Sequence, residues 1–459
     1  MPHPASRSPL LALSAALLLS SLARAEAPER SFLIHDVRLF DGAALREHQD
    51  LLVRDGLIAA ITDTGPAPAG VPVEEGAGRT LLPGLVDCHV HVTFSGAPPW
   101  ALGAPDPEHN LTAHLRSGTT TVFDMAAKTP KIAKIAREVS TGKKNGPRIF
   151  FAGSAMTTPG GYPYAYLSRV IPPALARLFL RDPVHLLSVA ADAERDAAQI
   201  AAAGGSFLKL FIAETPAGIP VLSPELVRSA VDAAHARGLR VAAHIDTAAH
   251  AMLAARAGVD LLVHGVHTDV LSAEQAAELA RLGVAVVPTL ITFERLHQML
   301  ESEPTFNAVE RATEDPALLG EFQREKAARF ELDPSLSAWL NAMSENTPAR
   351  LHGNMQRLHE AGVKVFVGTD ANGSIASFPA AIHDELALLV DAGYTPIEAL
   401  QSATGGPAEW LGSQDFGQLR VGAPADLLLV EGDPTQNIRD SERVVWVSRG
   451  GERWFEPLR

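Results

Sequence analysis

Two histidines, His89 and His91, stand one residue apart at the end of the apolar run 81–86. Alternate side chains of a β-strand point to the same face, so both imidazoles project together where such a strand ends. Imidazole nitrogens are common ligands of zinc and related ions. The pair alone is weak evidence for a metal site, because a chain with 17 histidines also brings two together by chance.

Further metal-compatible side chains end apolar runs downstream. His244 ends residues 241–244, His264 ends residues 261–264, and Asp370 ends residues 365–370. Each one alone also suits a structural role, such as a hydrogen-bonded histidine or a carboxylate that caps a turn. Together with the first pair, they form a set of metal ligands at successive strand ends. The sequence therefore predicts a metal site.

Lys209 is a charged residue inside the apolar run 207–211. A salt bridge to Glu214 is one explanation for a buried lysine. The other is chemical: burial lowers the pKa of the amine toward neutrality, and the free amine can then add carbon dioxide. The resulting carbamate carries two oxygens and can bridge two metal ions. The residues alone leave both explanations open.

The elements that would position these side chains alternate between strand and helix. Strand candidates cover 119–124, 148–154, 207–212, 240–245, 260–264, 284–289 and 364–370, and Ala-rich helical stretches include 189–203, 224–237 and 273–282. This alternation predicts an α/β fold, a (β/α)8 TIM barrel with its site at the carboxyl ends of the strands. An open doubly wound sheet is the alternative, but no Gly-x-Gly-x-x-Gly follows the first strand.

Short β-like runs lie near both ends of the chain, at 31–40, 51–62, 425–430 and 444–447. We expect them to close one small composite β-sandwich around everything between them. The predicted domains are a sandwich built from residues 26–80 and 413–459, and a barrel over 81–412 with a helical insertion at about 293–357. The insertion is interpreted either as a lid or as a solvated helical segment.

The first residues differ from the rest. Arg7 precedes the apolar stretch 10–22, and Ala23-Arg24-Ala25 has the small-x-small pattern of a cleavage site, so residues 1–25 are predicted to be a cleaved signal peptide. A membrane anchor is the alternative, but the stretch is short for a span. The only cysteine is Cys88, which excludes an internal disulfide. We expect a soluble periplasmic or secreted protein without stable membrane insertion.

The chain is acidic. Its formal charge is −14, and loss of Arg7 and Arg24 with the signal peptide would take this to −16. Such a balance argues against nucleic acid and anionic membrane surfaces as partners and leaves a small-molecule substrate as the expected one.

Several motifs together resemble the metal-dependent amidohydrolase superfamily, especially its imidazolonepropionase-like and Xaa-Pro dipeptidase-like members. They are Leu82-Pro83-Gly84-Leu85-Val86-Asp87-x-His89-x-His91, Lys209, His244, His264, Gly368-Thr369-Asp370 and the tail 417–427. The likeness covers nearly the whole chain after residue 25. It implies a barrel with a small β-sandwich built from both chain ends, and it leaves a homo-oligomer open.

The resemblance also implies roles. His89, His91 and Asp370 would hold the more buried of two metal ions, His244 and His264 the second, and a carboxylated Lys209 would bridge both. Zinc is the expected ion, although such sites also take manganese, cobalt or iron. A hydroxide held between the ions would attack an amide-type C–N bond, with Asp370 as general base and then acid. An N-acyl amino acid, a dipeptide or a related amide is the expected substrate.

Other reactions stay open at this stage. The same site could hydrolyse a lactone, an ester or a phosphotriester. A mononuclear deaminase would carry His-x-x-Glu, whereas His244 is followed by Ile245, Asp246 and Thr247. A non-catalytic binding protein would lack ligands, and none is missing.

Substrate contacts are expected from His267 and from a tyrosine-rich loop. Tyr162 and Tyr164 lie in the long loop 157–187, where they either line a pocket or pack the loop against the barrel. Dipeptidase-like members often carry Gly-Gly-His in this loop. Here the run reads Gly160-Gly161-Tyr162, which departs from that pattern.

Overall fold

The computed structural model describes residues 31–98, 103–170, 172–215, 217–323, 334–373 and 376–454. The predicted signal peptide lies outside these ranges. In chain order the strands are β1 (Phe32–Phe40), β2 (Leu45–Arg54), β3 (Leu57–Asp63), β4 (Val73–Glu75), β5 (Arg79–Pro83), β6 (Leu85–Val90), β7 (Thr119–Asp124), β8 (Arg148–Phe151), β9 (Ala155–Thr157), β10 (Val184–Leu186), β11 (Phe207–Ile212), β12 (Arg240–Ile245), β13 (Leu261–Val263), β14 (Ala285–Val287), β15 (Leu427–Glu431), β16 (Val444–Arg449) and β17 (Glu452–Arg453).

The helices are α1 (Pro107–Arg116), α2 (Thr129–Ser140), α3 (Tyr164–Val170), α4 (Pro173–Leu180), α5 (Ala190–Ala202), α6 (Pro224–His235), α7 (Ala248–Arg256), α8 (Ala273–Leu282), α9 (Leu290–Glu301), α10 (Ala308–Thr313), α11 (Pro316–Phe322), α12 (Pro334–Glu360), α13 (Ile382–Asp391), α14 (Pro396–Ser402) and α15 (Gly405–Leu411). Local sequence explains their ends. At α8, for example, Ser272 and Gln275 form a reciprocal capping box, and Gly283 ends the helix in the left-handed region.

Strands from both ends of the chain share one sheet. Its order is β17-β16-β15-β5-β1-β2-β3, and β4 pairs with β1. The junction is an antiparallel pair in which Leu428 of β15 faces Leu82 of β5. On this sheet, Ile34, Leu81 and Leu429 belong to one buried apolar cluster. Apolar burial of this kind ties the two chain ends together.

The middle of the chain forms parallel strands separated by helices. Strands β6, β7 and β8 make one parallel set, and β10-β9-β11-β12-β13-β14 make another. A backbone hydrogen bond from Ser206 N to Phe151 O links the two sets. Parallel strands with connecting helices place all carboxyl ends at one edge, which is where metal ligands are predicted.

The last predicted strand, 364–370, differs from the prediction. Instead of a continuous ladder it makes single parallel bridges, Val365 with Val286 and Ala371 with Val90. Asp370 has a φ of 55°, which is incompatible with continued strand conformation. The segment still lies between β14 and β6, because Cys88 N donates to Val367 O and Asp370 N donates to His89 O.

The two long loops have structure of their own. Residues 157–187 contain α3, α4 and β10, and the described part of 293–357 is mostly helical, from α9 to α12. Among the described helices, none combines the length and apolar character needed to cross a bilayer.

Gly84 joins the sheet of the chain ends to the first parallel strand, between β5 and β6. A Cβ atom at this position would collide with the buried side chain of Thr120. We expect Gly84→Ala to lower the free energy of unfolding by roughly 1–3 kcal/mol, the usual cost of overpacking a core. Urea unfolding followed by circular dichroism measures it.

Gly65→Ala is the matched control for this change, because a Cβ at Gly65 meets its nearest neighbour only at 3.9 Å. If both variants unfold at the same urea concentration, the close approach at Gly84 does not constrain the junction.

Candidate metal centre

Two imidazoles share one carboxylate oxygen. His89 lies in β6, His91 follows it, and Asp370 ends the bridged segment. Asp370 Oδ1 lies 3.3 Å from His89 Nε2 and 3.1 Å from His91 Nε2. One ligand atom from each of the three buried residues lies within 4.8 Å of the others. This is a donor set for one divalent cation.

The other two predicted histidines lie beside this trio. His244 is in β12 and His264 directly follows β13, and their ring centroids are 4.2 Å apart. The ring of His264 lies 4.8 Å from that of His89. The structure therefore brings all four predicted histidines and Asp370 into one buried cluster.

Lys209 points from β11 into the same region. The residue is 1% exposed, and its Nζ has no hydrogen-bond partner among the described residues. Burial lowers the pKa of this amine to about 7, although the charge of Asp370 opposes the shift. The alternative salt bridge to Glu214 is wrong, because Lys209 Nζ has no polar partner among the described residues. Glu214 instead accepts a hydrogen bond from Gly218 N at 2.7 Å.

The electrostatics favour neutral imidazoles at His89 and His244. At His91 burial alone would lower the pKa, but contact with Asp370 raises it. Burial lowers the pKa of His89 to about 3, and the charge of Lys209 adds to this effect. Burial and Lys209 likewise hold the pKa of His244 well below its ordinary value. Burial alone would raise the pKa of Asp370, but its contacts with His89 and His91 hold that pKa well below the ordinary value. Neutral imidazole and ionised carboxylate are the forms that bind metal ions.

Left-handed backbone marks the strand ends that carry this chemistry. His264 has a φ of 75°, Thr289 of 49° and Asp370 of 55°. Such conformations cost about 1–3 kcal/mol each in residues other than glycine and cluster at functional sites. Gly373 packs directly against two of these side chains, because a Cβ atom there would collide with the carboxylate of Asp370 and the ring of His91.

A buried carboxylate that sequence analysis did not single out joins the two ligand segments. Asp87 accepts hydrogen bonds from Thr369 Oγ1 at 2.5 Å, from Thr369 N at 3.0 Å and from His89 N at 3.2 Å. Burial raises the pKa of Asp87 to about 7, although these hydrogen bonds oppose the shift. The available signal was its place in the motif, two residues before His89.

Thr289 and Glu385 form a second support that the sequence did not reveal. Thr289 Oγ1 lies 2.9 Å from His264 Nδ1. The next two residues begin α9, and their backbone amides donate to the buried carboxylate of Glu385 in α13, Leu290 N at 2.9 Å and Ile291 N at 2.7 Å. A hydrogen bond to one ring nitrogen orients the other toward a metal.

The predicted substrate contacts separate into two groups. The ring of Tyr162 lies 4.7 Å from that of His244, and the buried ring of His267 lies 4.4 Å from Phe293. Tyr164 points elsewhere, because its hydroxyl donates to Leu180 O or Val184 O. This contact favours the packing interpretation for Tyr164, while contact of Tyr162 and His267 with substrate stays a prediction.

Aromatic rings surround the cluster on several sides. Phe94 stacks on His91 with ring centroids 4.8 Å apart, and Phe211 lies 5.6 Å from His244. With Tyr162 and Phe293 they place four aromatic side chains next to site histidines. Apolar walls with few polar groups are typical of small-molecule sites.

The arrangement fits divalent cations. Imidazole and carboxylate donors converge, and the unpartnered amine of Lys209 lies buried beside them. The family model described as "Amidohydrolase family" matches residues 80–451. This chain belongs to the amidohydrolase family. The predicted superfamily is therefore confirmed.

Individual relatives agree with the family assignment. An imidazolonepropionase of Streptomyces griseus is 26% identical over 419 residues, covering 87% of this amidohydrolase and 90% of the relative. An uncharacterized protein of Mycobacterium bovis is 30% identical over 217 residues, covering 47% and 48%, so that match spans about half of the relative. A putative prolidase from Bifidobacterium longum superposes with a TM-score of 0.69 at 25% identity, covering 94% and 96% of the two chains.

Thr289→Val should weaken zinc binding, because it removes the hydroxyl that contacts His264 while keeping the shape of the side chain. Loss of such a ligand-orienting hydrogen bond typically costs about 10- to 100-fold in metal affinity. Competition for zinc with a chromophoric chelator at pH 7 measures this directly.

Thr313→Val is the control for this prediction. It makes the same chemical change at a buried hydroxyl outside the cluster, in α10, where Thr313 Oγ1 donates to Val309 O. Equal zinc affinity of Thr289→Val and wild type would exclude a role of Thr289 in positioning His264.

Proposed function

We propose that this amidohydrolase is an exported, binuclear metal-dependent enzyme that hydrolyses an amide-type C–N bond. The observation that carries the proposal is the unpartnered amine of Lys209, buried beside four histidines and Asp370. A lone buried ammonium is costly, whereas a lysine that becomes an anionic metal bridge explains both its burial and its lowered pKa.

Each side chain has an assigned place in the proposal. His89, His91 and Asp370 would hold one ion, and His244 and His264 would hold the other. Lys209 would join the two groups as its carbamate, which forms when the neutral amine bonds to the carbon of carbon dioxide and releases one proton. Divalent ions bound here, zinc by the chemistry of the donors, would supply an activated water and polarise the scissile carbonyl.

Asp370 moves the proton. Its carboxylate is ionised in the buried site because His89 and His91 contact it. It can therefore accept a proton from the attacking water and deliver it to the departing nitrogen. The nitrogen leaves as a neutral amine, which is the step that makes amide cleavage feasible at neutral pH.

The substrate is an N-acyl amino acid, a dipeptide or a related amide. The aromatic rings of Phe94, Tyr162, Phe211 and Phe293 favour an apolar group next to the cleaved bond. The similarity to an imidazolonepropionase and to a putative prolidase supports cleavage of a C–N bond. The Gly160-Gly161-Tyr162 run argues for a substrate other than that of the dipeptidase-like members.

The proposal includes architecture and location. Residues 81–412 form a closed (β/α)8 barrel in which 364–370 supplies the eighth strand position, and residues 26–80 and 413–459 form the composite β-sandwich. The hydrogen bonds that join β14, the 364–370 segment and β6 support closure. Residues 1–25 direct export to the periplasm or beyond.

Lys209→Ala and Asp370→Asn should each lower kcat/KM for amide hydrolysis by at least about 100-fold, since one removes the bridge and the other the proton carrier. Lys209→Ala should also reduce bound metal from about two to about one ion per chain. Activity on the best substrate from a panel of N-acyl amino acids and dipeptides, together with elemental analysis, measures both effects.

Lys364→Ala and Asp391→Asn serve as controls, because they make the same chemical changes at exposed positions. The mechanism is wrong if the site variants keep wild-type activity or if the wild-type protein binds no stoichiometric metal. Lactones, esters and phosphotriesters in the same panel decide the reaction class, and a strong preference for any of them over every amide would overturn amide hydrolysis.

A further inference from the structure

Exposed apolar side chains concentrate in one short segment. Of the ten large hydrophobic side chains that are exposed in the described part of the chain, five fall between residues 175 and 189: Leu175, Leu178, Phe179, Leu186 and Val189. Single exposed hydrophobic residues need no explanation, but a concentration of them marks a surface that another molecule covers.

Helix α4 presents three of them on one side. Leu175, Leu178 and Phe179 have the i, i+3, i+4 spacing of a helix face and are 44%, 59% and 61% exposed. Ala176 is the only fully buried residue of α4. The Tyr164 hydroxyl, which lies within hydrogen-bond distance of Leu180 O and Val184 O, anchors the end of the helix to the loop. The apolar face is thus held outward.

Basic side chains occur in the same segment as this face. Arg169, Arg177 and Arg181 are the basic residues of the segment 158–183. Its one acid, Asp182, pairs with Lys128 at 2.8 Å and also lies 3.6 Å from Arg181, whereas Arg177 has no acid of this segment left to pair with. The segment therefore carries a net positive charge, although the formal charge of the whole chain is −14.

A groove lies beside the same helix. Its volume is about 530 Å³, and Arg177 and Arg181 line it together with Tyr164 and Leu186. Two guanidinium groups next to apolar surface match the chemistry of a phospholipid, whose phosphate joins an apolar body.

We propose that the face formed by Leu175, Leu178 and Phe179, with Arg177 and Arg181 at its side, docks on an anionic phospholipid bilayer. An amphipathic helix with apolar residues on one side and arginines on another lies in the plane of such a surface. The overall negative charge does not prevent this, because charges more than about 8 Å from the contact are screened at physiological salt.

A second copy of the chain fits this face less well. A twofold contact brings two copies of the same face together. The only acid of segment 158–183, Asp182, already pairs with Lys128 and Arg181, so such a contact offers the arginines no free carboxylate from this segment. An anionic lipid surface pairs with both the apolar and the basic parts. Because the face and Tyr162 both lie in residues 157–187, docking would occur at the end of the strands that carries the candidate metal centre.

Vesicle sedimentation tests the proposal with the exported protein. Wild type should sediment with phosphatidylglycerol-containing vesicles and not with pure phosphatidylcholine vesicles. Arg177→Glu/Arg181→Glu should lower the affinity for these vesicles by at least about fivefold, the effect of one basic side chain at an anionic surface. Leu178→Ser/Phe179→Ser should lower it by a similar factor, because it removes the apolar area that enters the bilayer.

Two double variants outside the face control for the chemistry of the changes. Val270→Ser/Val421→Ser removes two side chains of similar exposure, and Arg54→Glu/Arg281→Glu makes the same change in charge. Both should sediment like wild type.

Three results would overturn the proposal. The first is equal sedimentation of wild type with both kinds of vesicle, and the second is undiminished binding by both variants of the face. The third is a wild type that self-associates in light scattering and becomes monomeric with Leu178→Ser/Phe179→Ser, because a second copy would then cover the face. Amide hydrolysis of a water-soluble substrate is measured separately, so failure here leaves the proposed reaction untouched.

Discussion

The carboxylate of Asp370, in contact with two imidazoles and removed from water, is the constraint on which the rest of the structure depends. A buried anion is stable only when its partners are fixed, and His89 and His91 come from a different part of the chain. Asp87 holds the segment of His89 against the segment of Asp370, because it accepts hydrogen bonds from His89 N and from both N and Oγ1 of Thr369. The parallel strands, the bridged segment and the close packing at Gly373 all serve this geometry.

The apolar pattern of the chain predicted the bounds of strands with regular backbone correctly. The predicted strands 119–124, 207–212 and 240–245 have the same bounds as β7, β11 and β12. It overshot at 260–264 and 284–289, where β13 and β14 end earlier. His264 and Thr289 adopt left-handed backbone there, and hydrophobicity carries no information about that conformation.

The residues of the candidate site also fall into those that the sequence could predict and those that it could not. The proximity of the four histidines, Lys209 and Asp370 could be predicted, because residue types and strand ends identify them as a group. Thr289 and Glu385 could not, because their roles depend on contacts between segments far apart in the sequence: Glu385 reaches α9 across 94 residues. For Tyr164 the sequence left two interpretations open, and the contacts of its hydroxyl with backbone carbonyls favour packing of the loop.

The hydrogen bonds from the start of α9 to Glu385 have a consequence for how such proteins diversify. They fix Leu290 and Ile291 from α13, an element that lies beyond the insertion in sequence. Thr289 is therefore positioned from an element that follows the insertion. The residues after His264 are held by α12 instead, because Asn354 Nδ2 donates to Val266 O at 2.8 Å. Helices α10 and α11, which lie between α9 and α12, can change in length or be exchanged for those of a relative while these contacts hold the ligands in place. The fold thereby separates the part that can acquire a new substrate from the part that must not change.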